Sequence, residues 1–169
     1  MCYGIRIWHL GEIGNSSMDN QQQPFELLSN TRVLITGHTG FKGTWLARLL
    51  NMFGAQISGV AFPPEPGSLF QRIASPLVQD QKYFDIADSK QLSEFVLAVR
   101  PDIVFHLAAQ SLVRKSYRDP LATFQTNVMG TVNLLDAVLK SPSIKGVVVA
   151  TTDKVYKNVE KMEIGRAHV

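Results

Sequence analysis

Arg32-Val-Leu-Ile-Thr-Gly-His-Thr-Gly-Phe-Lys-Gly43 is the stretch on which the fold turns. Arg32 to Thr36 is a short apolar, β-branched run and reads as a strand. Gly37, Gly40 and Gly43 then make a G-x-x-G-x-x-G turn, and Lys42 to Phe53 follows with Trp45, Leu46, Leu49, Leu50 and Phe53 at helical spacing. Gly54 stands where a C-terminal glycine cap would end that helix. A glycine turn between a strand and a helix suits a phosphate-bearing ligand. The first glycine permits the tight turn, the second lets a pyrophosphate approach the backbone, and the third packs helix on strand. The helix N-terminus adds unpaired N–H groups and the positive end of a dipole. An ordinary βα turn also favours glycine, so the surrounding pattern must carry the rest of the reading.

That pattern alternates. Gln56 to Ala61 reads as a second strand, and Pro63, Pro64, Pro66 and Gly67 force a loop before a short helix near Leu69 to Ala74. Tyr83 to Asp85 is read as a third strand. Asp88, with Gln91 three positions on, resembles a capping box that opens a helix lined by Leu92, Phe95, Val96 and Val99 and stopped by Pro101. Asp102 to Leu107 is a nearly continuous apolar run, as expected of a strand covered on both faces. Asp119-Pro120 supplies an N-cap and a proline at the first helical position. Leu121, Phe124, Val128, Val132, Leu135 and Val138 then recur at helical spacing. Gly146 to Ala150 is a fifth strand. Strands alternating with helices predict an α/β fold, a Rossmann-like doubly wound parallel sheet cut off after about strand five.

In such a sheet ligands bind beyond the carboxyl ends of the strands. The candidates there are Asp85 and Ile86 after strand three, Leu107, Ala108, Ala109 and Gln110 after strand four, and Thr151, Thr152, Asp153 and Lys154 after strand five. Small residues at 108 and 109 let a flat cofactor lie close to the backbone, although tight packing explains them equally. Lys42 is either a phosphate partner or a solvated lysine. Where an acid would hold the adenosine 2′-hydroxyl, Val60-Ala61-Phe62 stands instead, leaving NAD and NADP undecided on residue chemistry. His106, in a buried strand, reads as a hydrogen-bonded structural histidine.

Composition narrows the field further. The chain has 169 residues, 45% hydrophobic and 18% charged, enough for one domain with a sizeable core. A net charge of +3, spread along the sequence, argues against a nucleic-acid surface. The single cysteine, Cys2, cannot form an internal disulfide, no Cys/His cluster has metal spacing, and a reducing, cytoplasmic setting fits. No stretch approaches the ~18 apolar residues of a membrane span, and Arg6, His9 and Glu12 interrupt any signal-like start.

The two ends differ from the middle. Residues 1–30 show no sustained periodicity and read as a poorly ordered lead-in, with Met18 a more economical start. Residues 31–162 read as the NAD(P)-binding domain, incomplete. Residues 163–169, Glu-Ile-Gly-Arg-Ala-His-Val, match the translation of a short-read sequencing adapter, GAG ATC GGA AGA GCA CAC GTC. Met162 is therefore read as roughly the last native residue and His168 as no ligand.

Within about residues 31–158, five strings resemble the extended short-chain dehydrogenase/reductase family of NAD-dependent nucleotide-sugar epimerases and dehydratases. In order they are Thr36-Gly-x-x-Gly-Phe-x-Gly43, Asp85-Ile86, His106-Leu-Ala-Ala109, Asn127-Val-x-Gly-Thr131 and Thr152-Asp-Lys-Val-Tyr156. The fuller strings ITGHTGFKG, VFHLAAQ and TNVMGTVNLL, with TDK, are most similar to the CDP-glucose 4,6-dehydratase branch. The resemblance implies NAD as cofactor, held with the help of Gly37, Gly40, Phe41, Lys42, Gly43, Asn127 and Thr151. It implies a nucleotide-sugar substrate, CDP-glucose, and a homodimer formed through the long helix.

It also implies roles for three residues: Thr152 hydrogen-bonds the sugar C4 oxygen, Asp153 protonates the departing C6 hydroxyl and Lys154 is the base at C5. A base of that kind needs a lysine with a lowered pKa. Gln110, Arg114, Ser116 and Tyr117 are placed to face the sugar. One family feature is missing. Tyr3, Tyr83, Tyr117 and Tyr156 are followed four positions later by Ile7, Ala87, Leu121 and Glu160, so no Tyr-x-x-x-Lys pair is present. The substrate domain is absent too, and an N-terminal fragment inactive alone is expected. A 4-epimerase and a non-catalytic NAD(P)-binding sensor are the competing readings.

Overall fold

The computed structural model describes residues 28–151. The lead-in up to residue 27, Thr152, Asp153, Lys154 and the adapter-like tail lie outside the described residues. In chain order the elements are β1 (Arg32–Thr36), α1 (Phe41–Met52), β2 (Gln56–Ala61), α2 (Leu69–Ile73), β3 (Val78–Tyr83), α3 (Ser89–Val99), β4 (Ile103–His106), α4 (Val113–Arg118), α5 (Pro120–Phe124), α6 (Gly130–Lys140) and β5 (Gly146–Val149). A π-helical turn over Gln125–Met129 joins α5 to α6, so that residues 120–140 form one helix. All strands pair in parallel, in the order β3-β2-β1-β4-β5. The chain runs outward through β2 and β3, returns to place β4 on the other side of β1, and thereby creates a switch point between β1 and β4.

Alternation along the strands divides the core in two. Val33, Ile35 and Ile57 face Ala47, Leu50 and Phe70 on one side. Leu34, Val60 and Val104 face Leu92, Phe95, Val96, Leu134 and Ala137 on the other. Each central strand is thus covered on both faces, as its continuous apolar sequence requires. The amino ends are tied together by Asp102. Its carboxylate accepts from the Arg32 backbone N–H at 3.1 Å and the Arg32 Nε at 3.0 Å, and lies 3.2 Å from the Lys145 ammonium. The Arg32 hydrogen bonds hold this carboxyl well below the usual carboxylate range.

Several elements differ from the sequence reading. The third strand is Val78–Tyr83 and not Tyr83 to Asp85. It is an edge strand whose Gln79, Asp80 and Lys82 are exposed, so its sequence carries no apolar alternation, and pairing with β2 defines it. In α1 the buried positions are Gly43, Thr44, Ala47 and Leu50, while Trp45 is 51% and Leu49 47% exposed. Gly43 and Ala47 let this helix lie close to the sheet, which rotates the larger side chains outward. Helix α4 was not expected at all; its six residues, Val-Arg-Lys-Ser-Tyr-Arg, bury none of their side chains. Along 120–140, Leu121, Phe124, Val128, Val132 and Leu135 are exposed, and Gly130, Leu134 and Ala137 meet the core. The capping of α3 is as read: the Asp88 carboxylate accepts the Gln91 N–H at 3.0 Å. Gly54, at φ +77°, follows the end of α1.

Candidate functional site

The glycine turn sits at the carboxyl end of β1, on the switch point. Gly37 has φ +76°, a left-handed conformation that costs a glycine nothing. A Cβ there would lie 2.8 Å from Ala108 N and 2.9 Å from Ala108 Cα, so the turn rests directly on the backbone after β4. At Gly43 a Cβ would lie 2.3 Å from the Gly37 carbonyl oxygen, so this first turn of α1 folds onto the loop that precedes it. Gly40 is different. It is exposed, and apart from the Gly37 carbonyl at 3.3 Å its absent Cβ would meet only open space. Gly40 is also the N-cap of the twelve-residue α1, and no side chain caps that end. The result is an open cradle of small residues beside uncapped N–H groups, with exposed Phe41 and Lys42 at its rim. These residues fit the diphosphate of a dinucleotide.

Opposite the glycine turn lies the segment after β4. Leu107 and Ala108 are half-buried, Ala109 is exposed, and Gln110 is fixed to the long helix by a reciprocal amide clamp. The Gln110 N–H donates to Asn127 Oδ1 at 2.7 Å, and Asn127 Nδ2 donates to the Gln110 carbonyl at 3.0 Å. Asn127 lies within the π-helical turn, a distortion that recurs at functional sites. Gln110 Nε2 also donates to Thr123 Oγ1 at 3.1 Å.

Beneath this segment runs a buried polar chain. Thr36 Oγ1 meets His106 Nδ1 at 2.6 Å, His106 Nε2 meets Thr131 Oγ1 at 2.9 Å, and the Thr131 hydroxyl donates to the Asn127 carbonyl at 2.8 Å. His106 is buried and hydrogen-bonded at both ring nitrogens, in line with a structural histidine. Burial pushes its pKa down.

The remaining sequence candidates are spread along the same edge. The Asp85 carboxylate accepts the Ala87 N–H at 2.9 Å and shapes the turn after β3. Ile86 is 3% exposed and packed in the core against Gly130, and its carbonyl accepts from Asn133 Nδ2 at 3.2 Å. Thr151 is exposed at the end of the described chain. Arg114 and Tyr117 are exposed on α4, and Ser116 donates to the Val113 carbonyl at 2.7 Å.

His38 was not singled out by its sequence. Its ring is fully buried inside the glycine turn, edge-on to Phe70 at 5.1 Å and stacked near Tyr83 at 6.1 Å. A Cβ on Gly59 would lie 2.4 Å from its Cγ. The signal was a bulky residue between glycines opposite a glycine inside a strand, a pairing visible only with the register in hand. Among the described residues no cluster of His, Cys, Asp and Glu is arranged to hold a metal, and no helix is long and apolar enough to cross a membrane.

A family model described as GDP-mannose 4,6-dehydratase matches residues 34–166. CDP-glucose 4,6-dehydratase from Salmonella typhimurium is 46% identical over 130 residues, which cover 76% of this chain and 36% of that protein. UDP-glucose 4-epimerase from Mycoplasma genitalium is 29% identical over 110 residues, covering 65% and 32%. Among solved structures, UDP-glucose 4-epimerase from Brucella ovis in complex with NAD superposes with a TM-score of 0.66 at 27% identity, covering 80% of this chain and 40% of that one. The chain therefore spans about a third of the length of the curated relatives it matches.

Proposed function

This chain belongs to the GDP-mannose 4,6-dehydratase family, and on that premise we propose that it is the dinucleotide-binding portion of a cytoplasmic, NAD-dependent 4,6-dehydratase acting on CDP-glucose. The observation that carries the substrate is the 46% identity over 130 residues to a CDP-glucose 4,6-dehydratase. The cofactor assignment is supported by the open cradle at Gly40 and by the kinship with an NAD-bound epimerase. When bound, NAD supplies a hydride acceptor for the sugar C4 and a donor for C6.

In this reading Gly37, Gly40, Phe41, Lys42 and Gly43 receive the diphosphate. Asp85 and Ile86 border the adenosine side. Leu107, Ala108, Ala109, Gln110, Asn127 and Thr151 border the nicotinamide side. Thr152 hydrogen-bonds the C4 oxygen, whose hydroxyl proton would go to the tyrosine of the Tyr-x-x-x-Lys pair that this sequence does not hold. Lys154 removes the C5 proton and Asp153 gives a proton to the C6 hydroxyl, which leaves as water. The product is CDP-4-keto-6-deoxyglucose. A 4-epimerase shares the fold, as the Brucella ovis structure illustrates, but needs no acid and base after Thr152, and Asp153-Lys154 favours the dehydratase. The exposed apolar residues Leu121, Phe124, Val128 and Val132 support the homodimer of the full-length enzyme.

Two measurements test the proposal. Calorimetric titration of the 169-residue chain is expected to show NAD binding without conversion of CDP-glucose, because the sequence holds no Tyr-x-x-x-Lys pair. Residues 31–158 are then transplanted into the Salmonella typhimurium enzyme. The chimera is expected to convert CDP-glucose into a product lighter by one water. A folded, NAD-binding chimera that leaves CDP-glucose intact overturns the dehydratase assignment.

A further inference from the structure

The polar chain beneath the site has only one consistent direction. The Asn127 carbonyl can only accept, so the single Thr131 hydroxyl proton is spent on it at 2.8 Å. His106 Nε2 must therefore carry a hydrogen and donate to Thr131 Oγ1 at 2.9 Å. A neutral imidazole has one N–H, which leaves Nδ1 bare to accept the Thr36 hydroxyl at 2.6 Å. With its proton spent, Thr36 Oγ1 is left as an acceptor for the Ala108 N–H at 3.2 Å and for the Leu107 N–H, also at 3.2 Å, which it shares with the Thr36 carbonyl at 3.0 Å. Those two residues form the backbone on which Gly37 rests, with Ala108 N only 2.8 Å from the position of a Gly37 Cβ. The ring thus couples the gap between glycine turn and β4 segment to the π-helical turn that carries Asn127.

We propose that His106 is a positioning residue for the cofactor cradle, acting as the neutral Nε2–H tautomer and holding Thr36 as acceptor for the backbone at Leu107 and Ala108. This rests on the reading of the cradle as a dinucleotide site. Protonation would put a second hydrogen on Nδ1, facing the Thr36 hydroxyl hydrogen. Thr36 would have to turn its proton away from the ring, while its oxygen faced the new Nδ1–H beside the Leu107 and Ala108 N–H groups. The groups around the ring are the hydroxyls of Thr36 from β1 and Thr131 from α6, with Val149 beside it in register on β5. Among the described residues no carboxylate, lysine or arginine bonds to it, and burial alone lowers its pKa. The sign follows: the arrangement is intact above the ordinary histidine range of about 6.5 and is lost as pH falls through the lowered folded value.

The test begins with imidazole nitrogen NMR on the wild-type 169-residue chain, the His106 signal being assigned by its loss in His106→Gln. A neutral ring with hydrogen on Nε2, persisting at pH values where free imidazole is charged, is expected. NAD affinity is then followed against pH. Wild type should weaken on acidification. His106→Gln keeps one acceptor and one donor and should bind within about threefold of wild type with a flatter pH profile. His106→Leu loses two hydrogen bonds and should weaken NAD about tenfold or more at neutral pH.

A charged ring or hydrogen on Nδ1 at neutral pH overturns the proposal, as does a His106→Leu variant with wild-type affinity and pH profile. Should His106→Leu not fold, the tautomer in wild type still decides. Normal NAD binding with the wrong tautomer sinks this inference alone, whereas no NAD binding sinks the dinucleotide reading and this inference with it.

Discussion

On the β1–β2 side of the switch point the structure is held by the absence of atoms. Gly37 and Gly59 sit where a Cβ would come within 3 Å of neighbouring heavy atoms, the backbone at Ala108 and the His38 ring respectively. On the β4–α6 side it is held by directed hydrogen bonds, with Thr36, His106 and Thr131 in one chain and Gln110 with Asn127 in another. Steric contacts of the first kind fail abruptly, because a methyl group cannot be half accommodated in a close-packed interior. Hydrogen bonds of the second kind fail by degrees, since each contributes about 1 kcal/mol net. The two walls should therefore answer mutation on different scales.

Gly37→Ala should break the steric wall most severely. It forces a left-handed backbone on an L residue and drives a methyl to within 2.9 Å of Leu107 and Ala108 backbone atoms. Together the strain and the overlap are expected to cost about 3–5 kcal/mol. Urea denaturation should show this as loss of most of the stability of a domain with the usual margin of about 5–15 kcal/mol. A loss below about 1 kcal/mol would mean that the turn does not rest on the β4 segment as described.

Gly59→Ala probes the same wall through a side chain. The new methyl would strike the His38 ring at 2.4 Å, at an expected cost of about 2 kcal/mol. The distinctive outcome is rescue. His38→Ala removes the obstacle, so the double variant should be more stable than the sum of the single effects allows, by at least about 1 kcal/mol in a mutant cycle. Strict additivity would show that the ring does not occupy the space above Gly59.

These two walls were not equally legible in the sequence. Gly37, Gly40 and Gly43 announce a close approach at known spacing, and a parallel sheet follows from the alternation of strands and helices, whereas the strand order that makes the switch point is seen only in the structure. Strand β3 escaped, because a polar edge strand such as Gln79-Asp80-Gln81-Lys82 is defined by its neighbour and carries no pattern of its own. The face of α1 was misjudged at Trp45 and Leu49, since periodicity gives a stripe while the small residues Gly43 and Ala47 decide which edge of it touches the sheet. The hydrogen-bonded wall was hidden for a different reason. Thr36 and His106 are 70 positions apart, and Gln110 and Asn127 are 17 apart, so neither pairing follows from spacing. Gln110 stood out by its place after strand four and Asn127 only through family resemblance, and their mutual clamp was not foreseen. Thr152, Asp153 and Lys154 lie outside the described residues and remain the proposed chemical end of the site.

The smallest of the three effects is the most informative about the second wall. Asn127→Ala removes one accepted and one donated hydrogen bond to the Gln110 backbone. The site is half-buried, so water can partly replace both, and the expected loss is about 1 kcal/mol, well below either glycine substitution. Asn127→Asp sharpens the point, because a carboxylate can still accept the Gln110 N–H at the present 2.7 Å but cannot donate to its carbonyl. In the alanine variant, hydrogen exchange at the Gln110 amide should accelerate, and in the aspartate variant it should stay slow while global stability falls only slightly. If both variants exchange alike, the clamp is not what holds Gln110. The wall would then depend on the packing of Leu107 and Ala108 against Gly37, and the contrast between a steric and a hydrogen-bonded side would dissolve.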